Sequence, residues 1–406
     1  MKKLLVGMVL AAIPGLACAG AEQVKVTVGG DLDTQAGHVR QKSDFRWKTP
    51  GKSDSGELNR FAITNSTAVK IKVEGGSDEL KYGGLVKFYA DTSASKTGDT
   101  SPANKTMIFV ETPFGRLEGG SYPGATDTMK VSAVEIARAA GGIDGDAPFR
   151  VNPKDYVNNN FVDDFVASPY MPVGNDQSPR ANGINYYTPS LNGLKFGVSY
   201  TPDSAVKGTI FSATNNVTKS SGNDYIRVVE GAVQYENTYG DFYYKAGALY
   251  QGGKAKNIGT FIKNRKNLNA WEAGLLLKYN DFSLAGSYGD AGRSGAVKTP
   301  GNKYGYSFWN VGVAYNVEPF GMSLTYFESK RAGTPVITKL NGVISNAADP
   351  NSKAFNKAKL LSLGADYKLA PGLLPYAEVT HFEYNKAGAV KNNKGQVYLL
   401  GTKLVF

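Results

Sequence analysis

Apolar and polar residues alternate along much of the chain. Val24, Val26 and Val28 are separated by Lys25 and Thr27. The stretch Val69-Lys70-Ile71-Lys72-Val73 repeats this pattern. A period of two is typical of a β-strand with one face in an apolar environment. The pattern predicts sixteen strands, at 23–34, 58–73, 80–91, 105–112, 115–122, 181–188, 193–202, 224–238, 241–251, 268–279, 282–290, 305–317, 321–331, 358–369, 373–385 and 396–406.

The connections between these strands alternate between long and short. The short ones are Glu74–Glu79, Pro113-Phe114, Pro189–Asn192, Tyr239-Gly240, Asn280-Asp281, Glu318–Phe320 and Ala370–Gly372. The long ones are 35–57, 92–104, 123–180, 203–223, 252–267, 291–304, 332–357 and 386–395. Bacterial outer-membrane barrels have short periplasmic turns and long outer loops, with aromatic girdles at both interfaces. The predicted fold class is therefore all-β: a 16-stranded antiparallel transmembrane β-barrel.

The N-terminal residues have the pattern of an export signal. A basic start, Met1-Lys2-Lys3, precedes the apolar stretch from Leu4 to Ile13 and the small-residue site Ala17-Cys18-Ala19. This order is that of a secretory signal peptide, and the apolar stretch is too short to span a bilayer. We expect residues 1–19 to be the signal peptide and residues 20–406 the barrel.

The composition narrows the range of chemistry. The chain has 2 His and 1 Cys, so a zinc site, a disulfide framework and histidine-based catalysis are disfavoured. We therefore predict a non-enzymatic protein with no cofactor, metal or catalytic residue; an outer-membrane lipase is the less favoured alternative. The net charge of +11 lacks a basic cluster interleaved with aromatic residues, which argues against nucleic acid. Excess positive charge on a barrel is expected to meet lipopolysaccharide phosphates or permeating anions.

The last predicted strand carries a terminal signature. Its alternate positions Tyr398, Leu400, Thr402, Leu404 and Phe406 share one face, and Phe406 is the last residue. In this strand, and in the whole barrel pattern, the chain resembles the trimeric general porins of Gram-negative outer membranes. The resemblance implies that the assembly machinery recognises Phe406. It also implies a homotrimer in the outer membrane, in contact with lipid and lipopolysaccharide, and passive diffusion of small hydrophilic solutes and ions.

The 123–180 connection is too long for a simple loop. In the resembled family the third long loop folds into the barrel and narrows it. Three motifs match that loop and the strand after it: Gly141-Gly142-Ile143-Asp144-Gly145-Asp146, Asp163-Asp164-Phe165 and Arg180-Ala181-Asn182. The resemblance implies an acidic constriction and places Arg180 on the facing wall. At one position the chain departs from many members of the family, because Gly120 is followed by Ser121 and not by arginine.

Charge supports this assignment of the loop. Residues 123–180 hold five bases and eight acids, a net charge of −3, among them Asp144, Asp146, Asp155, Asp163 and Asp164. If Val69, Ile71, Val86 and Phe88 face lipid, then alternation turns a set of basic residues inward: Arg60, Lys70, Lys72, Lys81 and Lys87. The predicted basic wall is Arg180, Lys87, Lys70 and Arg60. Acidic loop and basic wall would create a transverse field across a narrow gap, with weak anion preference. An anion- or substrate-selective outer-membrane channel stays open as the alternative.

Overall fold

A computed structural model describes residues 22–47, 53, 56–89, 103–151, 181–204, 206–208, 225–256, 265–296, 305–332, 336–340, 343–347, 355–385 and 392–406. The predicted signal peptide lies outside these residues, as does the second half of the predicted constriction loop. Within the described ranges, no helix is long and apolar enough to cross a membrane.

The described residues form eighteen strands and one short helix, α1 (Ala125–Thr128). The first nine strands are β1 Glu22–Gln41, β2 Phe61–Gly76, β3 Lys81–Tyr89, β4 Ala103–Thr112, β5 Gly115–Ser121, β6 Asn182–Tyr187, β7 Leu194–Asp203, β8 Tyr225–Tyr239 and β9 Phe242–Ala255. The others are β10 Leu268–Tyr279, β11 Phe282–Gly292, β12 Tyr306–Val317, β13 Phe320–Ala332, β14 Val336–Leu340, β15 Val343–Ala347, β16 Phe355–Tyr367, β17 Leu373–Asn385 and β18 Asn393–Val405.

Sixteen of the described strands close into one antiparallel barrel. Each pairs with its neighbour in sequence, with β13 next to β16, and β1 pairs with β18 to close the ring. β14 and β15 form a separate two-stranded sheet. The sixteen barrel strands correspond one to one with the sixteen predicted strands, which confirms the predicted barrel.

Two details differ from the sequence prediction. β1 continues to Gln41, whereas the prediction ended it at residue 34. Residues 35–41 lack an apolar alternation because His38 and Arg40 occupy the outer face. The strand is nevertheless completed by pairing with β18 as far as Gln41 opposite Gly395. The second difference is the β14–β15 hairpin, which lies within the predicted loop 332–357.

The two faces of each strand differ as the alternation predicts. On β12, Trp309 and Val313 are exposed on the outer face, while Phe308, Asn310 and Ala314 are buried on the inner face. Rings cluster beside the short turns: Phe282 lies 4.7 Å from Tyr315 between ring centroids. An exposed apolar outer wall flanked by aromatic rings matches the hydrocarbon layer and its two interfaces.

Two of the short turns have the residue that their backbone requires. Tyr239-Gly240-Asp241-Phe242 and Tyr279-Asn280-Asp281-Phe282 are near copies. Gly240 has φ 58° and Asn280 has φ 48°. Glycine and asparagine adopt positive φ more readily than other residues, so these turns connect adjacent strands with little strain.

Candidate functional site

Residues 123–151, called here segment 123–151, follow β5 and contact the inner side chains of many strands. The segment contains α1 and 3-10 turns at Ala133–Ile136, Gly142–Asp144 and Ala147–Arg150. It begins beside β6, where the Asn185 side-chain amide donates to the Pro123 carbonyl at 2.8 Å. The Ala125 N–H then donates to the Ser199 hydroxyl of β7 at 2.7 Å.

A buried carboxylate on β8 binds the start of α1. Both the N–H and the hydroxyl of Thr126 donate to Glu230 Oε2, at 2.9 and 2.7 Å. The Gln251 amide of β9 donates to the same hydroxyl at 2.6 Å. Lys245 of β9 forms an ion pair with Glu135 at 2.8 Å. These contacts hold the first third of the segment against β8 and β9.

The middle of the segment is fixed to β12, β13 and β16. The Ala133 N–H donates to Asn310 Oδ1 at 2.8 Å, and the Arg138 N–H donates to the Ser323 hydroxyl at 2.9 Å. Asp366 of β16 accepts from the Arg138 guanidinium at 2.5 Å and from the Ala139 N–H at 3.1 Å. Wall acceptors therefore satisfy backbone donors that the short turns leave without an internal partner.

The last part of the segment reaches β17, β1 and β2. Glu378 of β17 accepts from the Gly142 N–H at 3.0 Å, and the Gln35 amide of β1 donates to Asp146 at 2.5 Å. Arg150 donates to the Thr64 hydroxyl of β2 at 2.6 Å. In barrel order the contacts run from β6 around to β2, and the arc of β3, β4 and β5 lies between the two ends of this run.

Apolar contacts reinforce the polar ones. Met129, Ala133, Ile143 and Ala147 of the segment are buried in one cluster with inner side chains of the wall. The wall members include Leu249, Phe308, Phe327, Leu360, Phe382, Val397 and Leu399. Burying this apolar underside stabilises the segment on the wall, at about 25 cal/mol for each Å² removed from water.

Glycines on the wall make room for the segment. A Cβ on Gly274 of β10 would collide with the Val131 carbonyl oxygen, and one on Gly364 of β16 would lie 3.0 Å from the Arg138 oxygen. A Cβ on Gly37 of β1 would overlap the Arg150 guanidinium. These inner positions require glycine because the backbone or side chains of the segment come so close.

The arc of β3, β4 and β5 carries most of its charge on the inner face. Lys70 of β2 lies directly opposite Lys87 of β3, and Lys87 lies opposite Lys105 of β4. These three residues are called here the lysine row. Nearer the turns, Arg116 of β5 forms ion pairs with Glu118 at 2.6 Å and Glu111 at 3.0 Å. Lys105 was not among the residues that the sequence singled out, because pairing register was needed to place it beside Lys87.

The structure places the predicted basic wall residues at different heights. Lys70 and Lys87 lie side by side on the inner face, as alternation predicted. Arg60 precedes β2 and pairs with Glu57 at 3.0 Å, with both side chains nearly half exposed. Arg180 lies outside the described residues. The role of all four in a constriction stays a prediction.

Two of the five predicted acidic loop residues are described. Asp144 is half-buried in a 3-10 turn, and Asp146 is held by Gln35 close to Lys403 and Asp33. Burial raises the pKa of Asp146 above its ordinary value, and the hydrogen bond from Gln35 opposes this shift. Asp155, Asp163 and Asp164 lie outside the described residues. The sequence analysis missed Glu230, Asp366 and Glu378, the wall residues that accept hydrogen bonds from the segment. The available signal was the strand alternation, which places them on the inner face.

Phe406 completes the closure of the barrel. Its N–H donates to the Gly30 carbonyl at 3.1 Å, and its carbonyl accepts from the Gly30 N–H at 2.8 Å. The residue is 56% exposed. Recognition of this residue during assembly stays a prediction. Among the described residues, no group of three or more His, Cys, Asp or Glu side chains is placed to hold a metal ion.

Solved outer-membrane proteins share this fold. The DcaP outer membrane channel of Acinetobacter baumannii superposes with a TM-score of 0.57 at 14% identity, covering 96% of this chain and 99% of that one. A mutant of Rhodopseudomonas blastica porin gives 0.54 at 15%, covering 94% and 100%. The in-vitro folded OmpT of Vibrio cholerae, in trimer form, gives 0.55 at 14%, covering 95% and 100%.

Relatives by sequence occur in Rickettsia. An uncharacterized protein of Rickettsia typhi is 27% identical, covering 94% of this chain and 93% of the relative. Another from Rickettsia bellii is 28% identical, covering 80% of each chain. The family model described as Gram-negative porin matches residues 7–387. A match over most of the length, on a closed barrel of outer-membrane type, shows that the chain belongs to the Gram-negative porin family and is a passive diffusion channel of the outer membrane.

Proposed function

We propose that this porin is a general channel for small hydrophilic solutes and ions, and that segment 123–151 folds into the barrel and narrows it. The run of contacts from β6 around to β2 supports this proposal, because all of them involve side chains or backbone on the inner face. A loop outside the wall could not reach these positions without crossing the sheet. The opening would then lie between the segment and the arc of β3, β4 and β5.

The charges on the two sides of this opening differ in sign. The segment carries Asp144 and Asp146, and the lysine row lies on β2, β3 and β4. A transverse field in such a gap favours polar solutes that can orient in it. We expect weak anion preference, which decreases as salt shortens the Debye length from about 10 Å at 0.1 M to about 3 Å at 1 M.

Conductance and solute flux in planar bilayers and liposomes would test the channel. The proposal expects stable ion-conducting steps, swelling of liposomes in small sugars and a size limit. Protein that inserts but passes neither ions nor sugars would contradict it. A strong cation preference at low salt would contradict the proposed ion preference, since it would show that the segment's acids dominate.

We also propose that the protein performs no chemistry. His381 lies on the outer face of β17, with its ring nitrogen 3.5 Å from Glu383. A histidine–carboxylate pair also needs a nucleophile to hydrolyse an ester. Turnover of a model ester by purified protein, lost in His381→Ala, would contradict this proposal and favour the lipase alternative.

The assembly is proposed to be a homotrimer through the outer face of β1 and β2. Thr34 lies opposite Asn65 on that face, and both are exposed. Polar side chains are costly against lipid, so a second copy of the wall is the favoured cover. Asn65→Cys should give crosslinked dimers in the membrane, whereas Ala273→Cys on the outer face of β10 should not. The opposite result would contradict this interface.

Lipopolysaccharide is the proposed lipid partner of the outer face of β13, β16, β17 and β18. An alternating row of charges crosses the outer face, with Glu328 opposite Lys359, Lys359 opposite Glu383 and Glu383 opposite Lys394. Lys330 and Lys357 lie opposite each other, two residues along their strands from Glu328 and Lys359 and further from Tyr326. Lysines just beyond an aromatic girdle suit lipid phosphates. Lys330→Gln with Lys357→Gln should lower copurifying lipopolysaccharide, and an unchanged amount would contradict the proposal.

A further inference from the structure

Arg116 of β5 is held on the inner wall by three contacts. Its guanidinium carbon lies 3.7 Å from the ring centroid of Phe109 on β4. Its Nε pairs with Glu118 Oε1 at 2.6 Å, and its Nη1 pairs with Glu111 Oε2 at 3.0 Å. A planar guanidinium can stack on a ring and pair with carboxylates along its edge at the same time. These contacts together fix the orientation of the Arg116 side chain.

The ring that supports Arg116 is itself confined. Phe109 is only 3% exposed. A Cβ on Gly83 of β3 would lie 2.9 Å from the Phe109 ring, so glycine at this position lets the ring pack against β3. The guanidinium is therefore supported by side chains and backbone of neighbouring strands, and it has little freedom to follow a moving carboxylate.

The two carboxylates that bind Arg116 differ in burial. The Glu118 side chain is 7% exposed, whereas the Glu111 side chain is 42% exposed. Water can replace Arg116 at Glu111, but a buried carboxylate that loses its cation stays uncompensated. The second oxygen of Glu118, Oε2, accepts from the Asn185 side-chain amide of β6 at 3.3 Å. Arg116 and Asn185 thus bind one oxygen each of the same buried carboxylate.

Asn185 connects this carboxylate to segment 123–151. The Nδ2 atom that donates to Glu118 also donates to the Pro123 carbonyl at 2.8 Å. An amide nitrogen carries two N–H groups in one plane, so the bond to Glu118 directs the other N–H at Pro123. The next residue has little clearance, since a Cβ on Gly124 would overlap the Glu230 carboxylate. The chain therefore leaves the wall along a path that the Asn185 amide helps to define.

We propose that Arg116 is a positioning residue for the entry of segment 123–151 into the barrel. It orients Glu118, Glu118 orients Asn185, and Asn185 holds the Pro123 carbonyl where the segment leaves the wall. This inference rests on the proposed function, because a restraint on the segment affects solute passage only if the segment narrows the channel.

Arg116→Gln tests the restraint, and Glu111→Gln is the matched control. The first change leaves Glu118 buried without its cation, so its contact with Asn185 should rearrange and the entry should loosen. We expect open-channel current noise in planar bilayers to rise about tenfold, and larger sugars to enter liposomes faster. The control removes the more exposed partner and keeps the Glu118 pair, so noise should change less than about twofold.

A second variant guards against failure of Arg116→Gln to assemble. Arg116→Gln combined with Glu118→Gln removes both charges together and leaves two amides that can hydrogen-bond to each other. Replacing both partners is less disruptive than leaving one buried group unsatisfied. The combined variant should assemble better and show less noise than Arg116→Gln alone.

Asn185→Ala breaks the link to Pro123 but keeps both ion pairs of Arg116. It should raise the noise as Arg116→Gln does. If Arg116 acts through Asn185, then adding Arg116→Gln to Asn185→Ala should raise the noise less than about twofold further, because residues in one network are not additive. A purely local loss of stability at Arg116 would instead add its full effect in this background.

Hydrogen exchange of the detergent-solubilised protein measures the restraint without any current. The N–H groups of Ala125 and Thr126 donate to Ser199 and Glu230 just after the entry. Local opening of the entry exposes these groups to solvent. Their exchange should be about tenfold faster in Arg116→Gln and in Asn185→Ala than in the parent, and nearly unchanged in Glu111→Gln.

Each outcome bears on one proposal. Faster exchange and more noise in Arg116→Gln and Asn185→Ala, without addition when they are combined, would support the positioning role. Exchange at the parent rate in Arg116→Gln would overturn it, as would a full additional effect in the combination. Faster exchange in a protein that passes no ions would leave the positioning role intact and overturn the proposed function.

Discussion

The inner wall has two regions that differ in what their polar and charged side chains contact. From β6 around to β2 the wall offers carboxylates, amides and hydroxyls to the backbone donors of segment 123–151, and ion pairs such as Lys245 with Glu135 join the two. Between the ends of that run, β3 and β4 place Lys87 opposite Lys105. In the first region the polar side chains bind segment 123–151. In the second region lysines lie opposite each other on the inner face, and the same alternation of inner and outer side chains underlies both regions.

Deleting Gly141–Ala147 should have the largest effect, because it removes chain from the first region. The deletion takes out the donors and acceptors that meet Glu378 and Gln35. We expect conductance to rise severalfold and larger sugars to enter liposomes. The volume control is Asp144→Asn with Asp146→Asn, which should leave conductance nearly unchanged and shift the reversal potential towards anions. Unchanged conductance in the assembled deletion variant would place the narrow point elsewhere in residues 123–180.

Gly274→Ala should displace segment 123–151 without changing any charge. The new Cβ would overlap the Val131 carbonyl oxygen. Overpacking of this kind costs about 1–3 kcal/mol, so thermal stability should fall and conductance should change with it. Gly231→Ala is the control, because a Cβ there meets nothing within 4 Å. Equal stability of the two variants would show that the segment moves freely on the wall.

Asp366→Asn should loosen the middle of the segment. The Asp366 side chain is only 9% exposed, and its carboxylate binds the Arg138 guanidinium. The substitution replaces this carboxylate and weakens the acceptor of the Ala139 N–H. A loss of about 1–3 kcal/mol is expected, with more open-channel noise. Glu318→Gln is the control: its pair with Lys368 is largely exposed to solvent and contributes little to stability. Similar noise in both variants would mean that this anchor does not restrain the segment.

The barrel was predictable from sequence because each strand carries its own pattern. Sixteen strands and the two-residue turns at Gly240 and Asn280 follow from local alternation and turn chemistry. The wall anchors were not predictable in this way. Glu378 meets Gly142 across 236 positions of chain, and Gln35 meets Asp146 across 111. Such contacts depend on where a closed ring brings distant strands, which no local pattern encodes.

Apolar residues inside the barrel limited the prediction for a second reason. Phe308 and Phe327 are buried on the inner face and belong to the apolar cluster that segment 123–151 joins. An inner phenylalanine next to an outer tryptophan, as at Phe308-Trp309, hides the alternation. The lysine row shows the same limit in another form. Lys70 and Lys87 followed from parity, whereas Lys105 required the register of β3 against β4.

The smallest expected effect is a pH dependence that belongs to the first region alone. Burial raises the pKa of Asp146, and the nearby Asp33 raises it further, while Gln35, Lys403 and Arg150 oppose the shift. The folded protein therefore holds a proton that the unfolded chain has released, between the ordinary aspartate pKa and the raised one. Stability should fall slightly as pH rises through this interval, because the folded state binds more protons.

The same proton should be visible in the current. As pH falls through the raised pKa, Asp146 loses its negative charge, and the reversal potential should shift towards anions. Asp146→Asn should show that shifted potential already at neutral pH and lose this step, since the amide still accepts from Gln35. Asp144→Asn removes a charge from the same turn but leaves Asp146 to titrate, so its step should persist. A step that survives in Asp146→Asn would belong to another acid and would contradict this assignment.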